Sequence, residues 1–225
     1  MASQGGSHTK NKGSARLIFA TPLPGYCEHV TDRVAETRVR INPAIAARWS
    51  PRAFDPSAVV TGEQITALLE AARWAATWGH RQPVRFIVGM RGDDTYGRLA
   101  GLLKRGNSYA KSAGALMLVG VDEGPDDNTA VYAAVDAGAA IAQLTIEAVS
   151  RGLIAHPMAG FNKDGARAEF GLPEEVRPIA VVAVGSLGDY AAVDDAIVER
   201  DRMSRQRLPL EDIAFAGAWG RPFQV

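Results

Sequence analysis

Between Thr61 and Ala72 the apolar residues Ile65, Leu68, Leu69 and Ala72 fall three and four apart, and Thr61-Gly62-Glu63-Gln64 ahead of them is a capping box. That spacing predicts a helix to about Ala75. Asn42-Pro43 repeats the logic on a smaller scale: an N-cap followed by proline, whose missing N–H costs nothing at the first helical position, opens a short helix through Arg48. Residues 85–90, 116–121 and 179–184 are β-branched or apolar runs bounded by Gly, Pro or Asp, as buried strands require. A helical stretch around residues 95–104 separates the first two. Residues 131–150 are apolar nearly all round and end at Arg151-Gly152, which predicts a central, buried helix stopped by glycine. Its Ala and Gly residues permit close approach of the sheet or of a second copy of the chain. Residues 163–170 stop at Gly171 with Pro173 beyond, predicting one more helix. Helices and strands follow one another without regular βαβ units, so the pattern predicts an α+β fold, a sheet layered with helices.

Residues 1–16 are rich in Gly, Ser, Lys and Asn and poor in large apolar side chains, which predicts a flexible tail ahead of a single domain over residues 17–225. Residues 17–40 carry scattered apolar positions, prolines and charges that could wrap the surface or pair with a partner. The chain of 225 residues is 47% apolar and 22% charged, ordinary for a soluble enzyme with one sizeable core. Basic and acidic residues balance at 25 each, so no global field attracts nucleic acid or anionic lipid, and any anion site must be built locally. Cys27 is the single cysteine, which excludes an internal disulfide; a cytoplasmic location is the expectation. The apolar run at residues 17–20 is too short for a signal-peptide core, and no later stretch reads as long enough to span a bilayer.

The glycine motifs of dinucleotide folds, phosphate-binding loops and hydrolase elbows are missing from the sequence. Cys27-x-His29 is the one pair with metal-ligand spacing, more simply read as incidental; no metal is expected. Local anion chemistry is legible in Arg48-Trp49-Ser50-Pro51-Arg52, where guanidinium and hydroxyl groups alternate just after a short helix. Charge-assisted hydrogen bonds of about 1.5–3 kcal/mol each suit such a group to a phosphate monoester. A second pair of cations stands far along the chain at Arg205-Gln206-Arg207, again at alternating positions, and two such pairs can close on one phosphate.

With those two arginine pairs, the segments WAATWGHRQPVRFIV, a Gly106-Asn107 before the second strand, GLIAHPMAGF and the terminal RQRLPLE, the chain resembles the FMN-dependent nitroreductase family from about Asn42 to Phe223. The resemblance implies a three-layer fold with a central mixed or antiparallel sheet flanked by helices, in an intertwined homodimer. It also implies that Arg48, Ser50, Arg205 and Arg207 hold the FMN phosphate and ribityl end beside Trp49, with Arg52 at the N1 and O2 edge of the ring. There a fixed cation stabilises the reduced anion. Asn107 would bond the pyrimidine edge, and Pro157, Met158, Ala159 and Gly160 would line the ring near N5. From the second copy, Ala76, Thr77, Trp78, His80 and Gln82 would close the pocket. The family's Pro-Ser and Asn in that loop are Ala76-Thr77 and His80 here, which alters the rim that faces substrate.

The implied activity is transfer of hydride from NAD(P)H through FMN to small electron-poor acceptors, nitroaromatics or quinones, by ping-pong chemistry with no catalytic side chain assigned. Enone reduction, azoline dehydrogenation or flavin fragmentation on the same fold, or a non-catalytic flavin-binding dimer, stay open. Outside the resemblance, Trp49 and Trp78 read equally as packing residues, Tyr132 and Gln143 as core or dimer contacts, His156 as a satisfied turn histidine, and Arg73 and Arg85 as surface residues.

Overall fold

The computed structural model describes residues 33–224. The expected tail, the apolar run at residues 17–20, and Cys27 and His29 lie outside the described residues.

Among the described residues six α-helices and four strands follow in the order α1 (Pro43–Ala47), α2 (Gly62–Arg73), β1 (Val84–Met90), α3 (Asp94–Leu102), β2 (Ala115–Asp122), α4 (Asp127–Ser150), β3 (Ile154–Met158), α5 (Lys163–Phe170), β4 (Val176–Gly185) and α6 (Asp195–Arg202). A 3-10 segment, Arg105–Ser112, joins α3 to β2. The capping box of α2 forms as expected, with Thr61 accepting from the Gln64 N–H and Gln64 reaching back to the Thr61 N–H. Asn42 caps α1 through the Ala44 N–H. Gly171, at φ 59°, stops α5 in the left-handed conformation that glycine adopts without penalty.

The strands form one sheet in the order β1-β2-β4-β3, antiparallel at every pair. The two-residue period of the central strands divides the core. Ala115, Met117, Val119, Val182 and Val184 face α2 and α4, while Leu116, Leu118, Val181 and Ala183 face α3, α5 and the 3-10 segment. Strands covered on both faces read as continuous apolar runs, which is why periodicity alone predicts them only as buried. Pro157 sits in β3, an edge strand, where a missing N–H leaves no internal ladder bond unmade.

Two expectations about α4 are corrected. The helix is not buried all round: Val131 and Val135 are 62% and 60% exposed, because the sheet and α2 cover only one of its sides within a single chain. By length and composition alone its 24 residues are long and apolar enough to cross a membrane, contrary to expectation. Its opposite side supplies Leu144 and Ala148 to the core beneath α2 and the sheet, which accounts for much of that apolarity. Near its C-terminal end Ile146 and Val149 receive Ala44 and Ala47, and this contact docks α1 and the loop that follows it.

Candidate active site

Helix α1 is only five residues long, so most of its C-terminal carbonyls have no partner within the helix. Arg205 supplies one. Its Nη1 donates to the carbonyls of Ala46 (3.2 Å) and Arg33, and its Nη2 to that of Arg48 (2.9 Å). A cation at a helix C-terminus is favoured by the aligned peptide dipoles as well. The chain after α6 is thereby bound to the end of α1, and residues 157 positions apart in sequence become neighbours.

Around this clamp gather Arg33, Arg48 and Arg207. Burial and the nearby Arg207 hold the Arg48 guanidinium below its ordinary pKa, and burial together with Arg48, Arg207 and Arg33 does the same for Arg205. Both remain protonated at any physiological pH, because a guanidinium keeps its proton in proteins. Among the described residues no carboxylate is paired with Arg48, Arg205 or Arg207, and the Arg48 guanidinium and the Ser50 hydroxyl have no protein hydrogen-bond partner. Like charges assembled without a counter-charge are costly unless an anion joins them. Among the described residues, the Nε1 of Trp49 and the Nε of Arg33 and of Arg52 are buried donors without acceptors, a rare condition in folded proteins. Arg33 also lies over the Trp49 ring, 4.8 Å from its centroid.

One turn of loop further on, Arg52 belongs to a second cluster. Its backbone N–H and Nη1 donate to the two carboxylate oxygens of Asp201 at 2.7 and 2.8 Å, and the Tyr190 hydroxyl donates to the same carboxylate at 3.1 Å. The Asp201 side chain is 1% exposed. Beside Arg52 stands Tyr109, whose hydroxyl meets His156 Nε2 at 3.1 Å, while His156 Nδ1 lies 2.9 Å from the Pro51 carbonyl. A carbonyl only accepts, so Nδ1 carries the proton and Nε2 accepts from the Tyr109 O–H. Burial lowers the His156 pKa and pushes that of Tyr109 up to about 12, so both are neutral at pH 7. Because this chain of hydrogen bonds ends on a backbone carbonyl, it cannot pass a proton on; it is a strut that fixes the 48–52 loop against β3.

Past the end of β3, the Gly160 carbonyl accepts from Asn107 Nδ2 at 2.9 Å. A Cβ at position 160 would stand 2.6 Å from that nitrogen, so a side chain there would push the Asn107 amide aside. Pro157 is half-buried, Met158 is buried and Ala159 exposed. Thus the segments that carry Arg48, Trp49, Ser50, Arg52, Arg205 and Arg207 are linked by hydrogen bonds and ring contacts to those of Asn107 and residues 157–160.

The loop at residues 76–80 lies elsewhere. The Trp78 N–H donates to both oxygens of Asp136, a buried carboxylate in α4, and the Trp78 ring stacks on Tyr132 with centroids 4.7 Å apart and planes 7° from parallel. Tyr132 precedes Ile146, where α1 docks, by fourteen positions of helix, or about 21 Å at 1.5 Å per residue. Ala76, Trp78, His80 and Gln82 are exposed. Thr77 and Gln82 line a cavity of about 400 Å³ between α2, β1 and α4, which shares no residue with the arginine cluster. Within one chain, therefore, the 76–80 loop and the arginines form separate sites.

Arg33, Tyr109, Asp136 and Asp201 were not singled out from sequence. Asp201 sits in the run Glu199-Arg200-Asp201-Arg202, which reads as a solvated helix face, and only burial distinguishes it from its neighbours. His156 is satisfied on both ring nitrogens but from a strand rather than a turn. Arg73 pairs with Glu70 on the surface, and Arg85 bonds backbone carbonyls of its own strand entry.

The model of the Nitroreductase family matches residues 45–112 and 104–186. A protein of Mycolicibacterium smegmatis described as an uncharacterized 15.4 kDa protein in the ask 5' region is 65% identical over 147 residues, covering 62% of this chain and 99% of that protein. Among solved structures, an oxidoreductase containing FMN is similar at 32% identity and a TM-score of 0.76, over 82% of this chain and 96% of its own. Nitroreductase A of Vibrio parahaemolyticus shares the fold at 18% identity and a TM-score of 0.67, over 80% of this chain and 77% of its own.

Proposed function

The chain belongs to the nitroreductase family, and on that premise we propose that it is an FMN-dependent oxidoreductase that takes hydride from NAD(P)H and delivers it to small electron-poor acceptors such as quinones or nitroaromatics. One observation carries the reading: Arg48 and the Arg205 and Arg207 pair, more than 150 positions apart in sequence, meet in a cluster that has no paired carboxylate among the described residues. A phosphate monoester supplies the missing counter-charge, and the solved relative at 32% identity contains FMN.

The donor set suits the flavin's phosphorylated chain. Arg48, Ser50 and Arg207 have donors available for the phosphate, and the buried N–H groups of Trp49, Arg33 and Arg52 stand ready for acceptors. Arg205 has a double task, since most of its donors are committed to the end of α1; it places the cluster at least as much as it binds. Bound FMN would supply a reversible two-electron centre at N5. Arg52, held by Asp201, would put a fixed cation at the ring edge where charge grows on reduction. Asn107 and residues 157–160 would orient the ring through amide groups, and Asn107 is itself oriented by Gly160. The Tyr109 to His156 strut holds the loop and moves no proton, so protons for the acceptor come from solvent.

A homodimer completes this reading. The 76–80 loop stands about 20 Å along α4 from its own arginine cluster, so it closes a site only on a second copy. The exposed Val131, Tyr132 and Val135 of α4 offer that copy an apolar face.

Purified protein is expected to be yellow, to release FMN on heating, and to oxidise NADPH or NADH when a quinone is supplied. Colourless protein that takes up no FMN from solution would end the proposal.

A further inference from the structure

We propose that Asp201 is a positioning residue that couples the two halves of the phosphate site, tying the 48–52 loop to the helix from which Arg205 and Arg207 depart. The inference rests on the FMN reading above.

Asp201 gains nothing from its place in the helix. It lies in the last turn of α6, next to the final residue Arg202, where the carbonyl end of the peptide dipoles disfavours a carboxylate. It is almost wholly buried, and burial penalises its charge. It also stands close to a site built for anions. Three donors offset these costs, the N–H and Nη1 of Arg52 and the Tyr190 hydroxyl, and two of them come from the loop that begins at Arg48. The backbone N–H bond of 2.7 Å fixes the path of the chain rather than a side chain alone. Three residues beyond α6 the chain delivers Arg205 to the carbonyls of Ala46 and Arg48. The loop and the late arginines are thus held by two braces, Asp201 on one side and Arg205 on the other.

The sign of the effect separates this role from simple electrostatics. Asp201→Asn removes a negative charge beside an anion site, and Coulomb's law by itself predicts tighter FMN binding. If Asp201 acts by positioning, the change weakens FMN binding instead. The apoproteins of the wild type, Asp201→Asn and Tyr190→Phe are titrated with FMN and with riboflavin, which has the ring and ribityl chain without the phosphate, by quenching of flavin fluorescence. Asp201→Asn is expected to raise the Kd for FMN about tenfold or more, the loss of roughly one charge-assisted hydrogen bond, and to raise that for riboflavin, which shares only the Arg52 contact at the ring edge, by a clearly smaller factor. Tyr190→Phe, which removes one of the three donors, is expected to shift the FMN to riboflavin preference in the same direction by a smaller factor. FMN binding that is unchanged or tighter in Asp201→Asn overturns the proposal, as does equal loss of both flavins. If Asp201→Asn does not fold, an unaltered preference in Tyr190→Phe overturns it. A wild-type apoprotein that does not prefer FMN to riboflavin would remove the phosphate site itself, and the functional reading with it.

Discussion

Replacing Arg48 with methionine separates binding from folding, because the guanidinium has no hydrogen-bond partner among the described residues and is held in a crowd of like charge. Methionine keeps the length and apolar stem of the side chain, so the packing of the stem is largely retained. In the apoprotein the substitution relieves desolvation and repulsion from Arg207; with the group half-exposed and solvent screening the charge, the gain is between zero and about 1 kcal/mol. In the FMN complex it removes one charge-assisted hydrogen bond, about 1.5–3 kcal/mol, which corresponds to roughly a tenfold to hundredfold rise in Kd. Urea unfolding of the apoprotein measures the first quantity, and titration of the apoprotein with FMN measures the second. Linkage supplies a cross-check: at a fixed FMN concentration, about 100 times the wild-type Kd, the wild type gains about 2.7 kcal/mol over its apoprotein, and the variant gains less. An apoprotein destabilised by more than about 1 kcal/mol with FMN affinity unchanged would refute the reasoning, since Arg48 would then be a structural residue.

Arg205→Ala is expected to behave differently from Arg48→Met, lowering apoprotein stability by about 2 kcal/mol because the carbonyls of Arg33, Ala46 and Arg48 lose their shared donor; a urea midpoint equal to that of the wild type would contradict the clamp. His156 provides a pH signature. Its folded-state pKa lies below the ordinary 6.5, so the unfolded chain takes up the proton first. The contribution of neutral His156 is complete above that value and is lost as pH falls from it toward the folded-state pKa. The stability of the wild type relative to His156→Gln, measured by urea unfolding between pH 8 and 5, should therefore decline below about pH 6.5; a pH-independent difference would show that burial does not control this ring.

Much of the fold is legible in the sequence because its signals are local. The capping box at Thr61, the Asn42-Pro43 start and the Gly171 stop each act within four residues, and each forms as read. The apolar runs at β2 and β4 likewise predict strands, since a chain buried on both faces can carry little else, whereas β1, expected as a buried strand, is an edge strand that is buried only at Gly89. Other features depend on packing between distant segments. That α4 leaves Val131 and Val135 exposed follows from which of its sides meets α2 and the sheet, and its composition is apolar on both. Asp201 has the same residue type and the same neighbours as a solvated acid, and only the path of the 48–52 loop across α6 converts it into a buried brace. The arginines proposed for the anion site were legible in the sequence through their resemblance to a known family. Their meeting is a property of the tertiary structure, because Arg205 reaches the end of α1 only after the sheet and five further helices have set the two ends of the chain side by side. Local sequence specifies what short-range geometry can enforce; charge clusters and buried ion pairs require coordinates, because their energy depends on separation in space and not on separation along the chain.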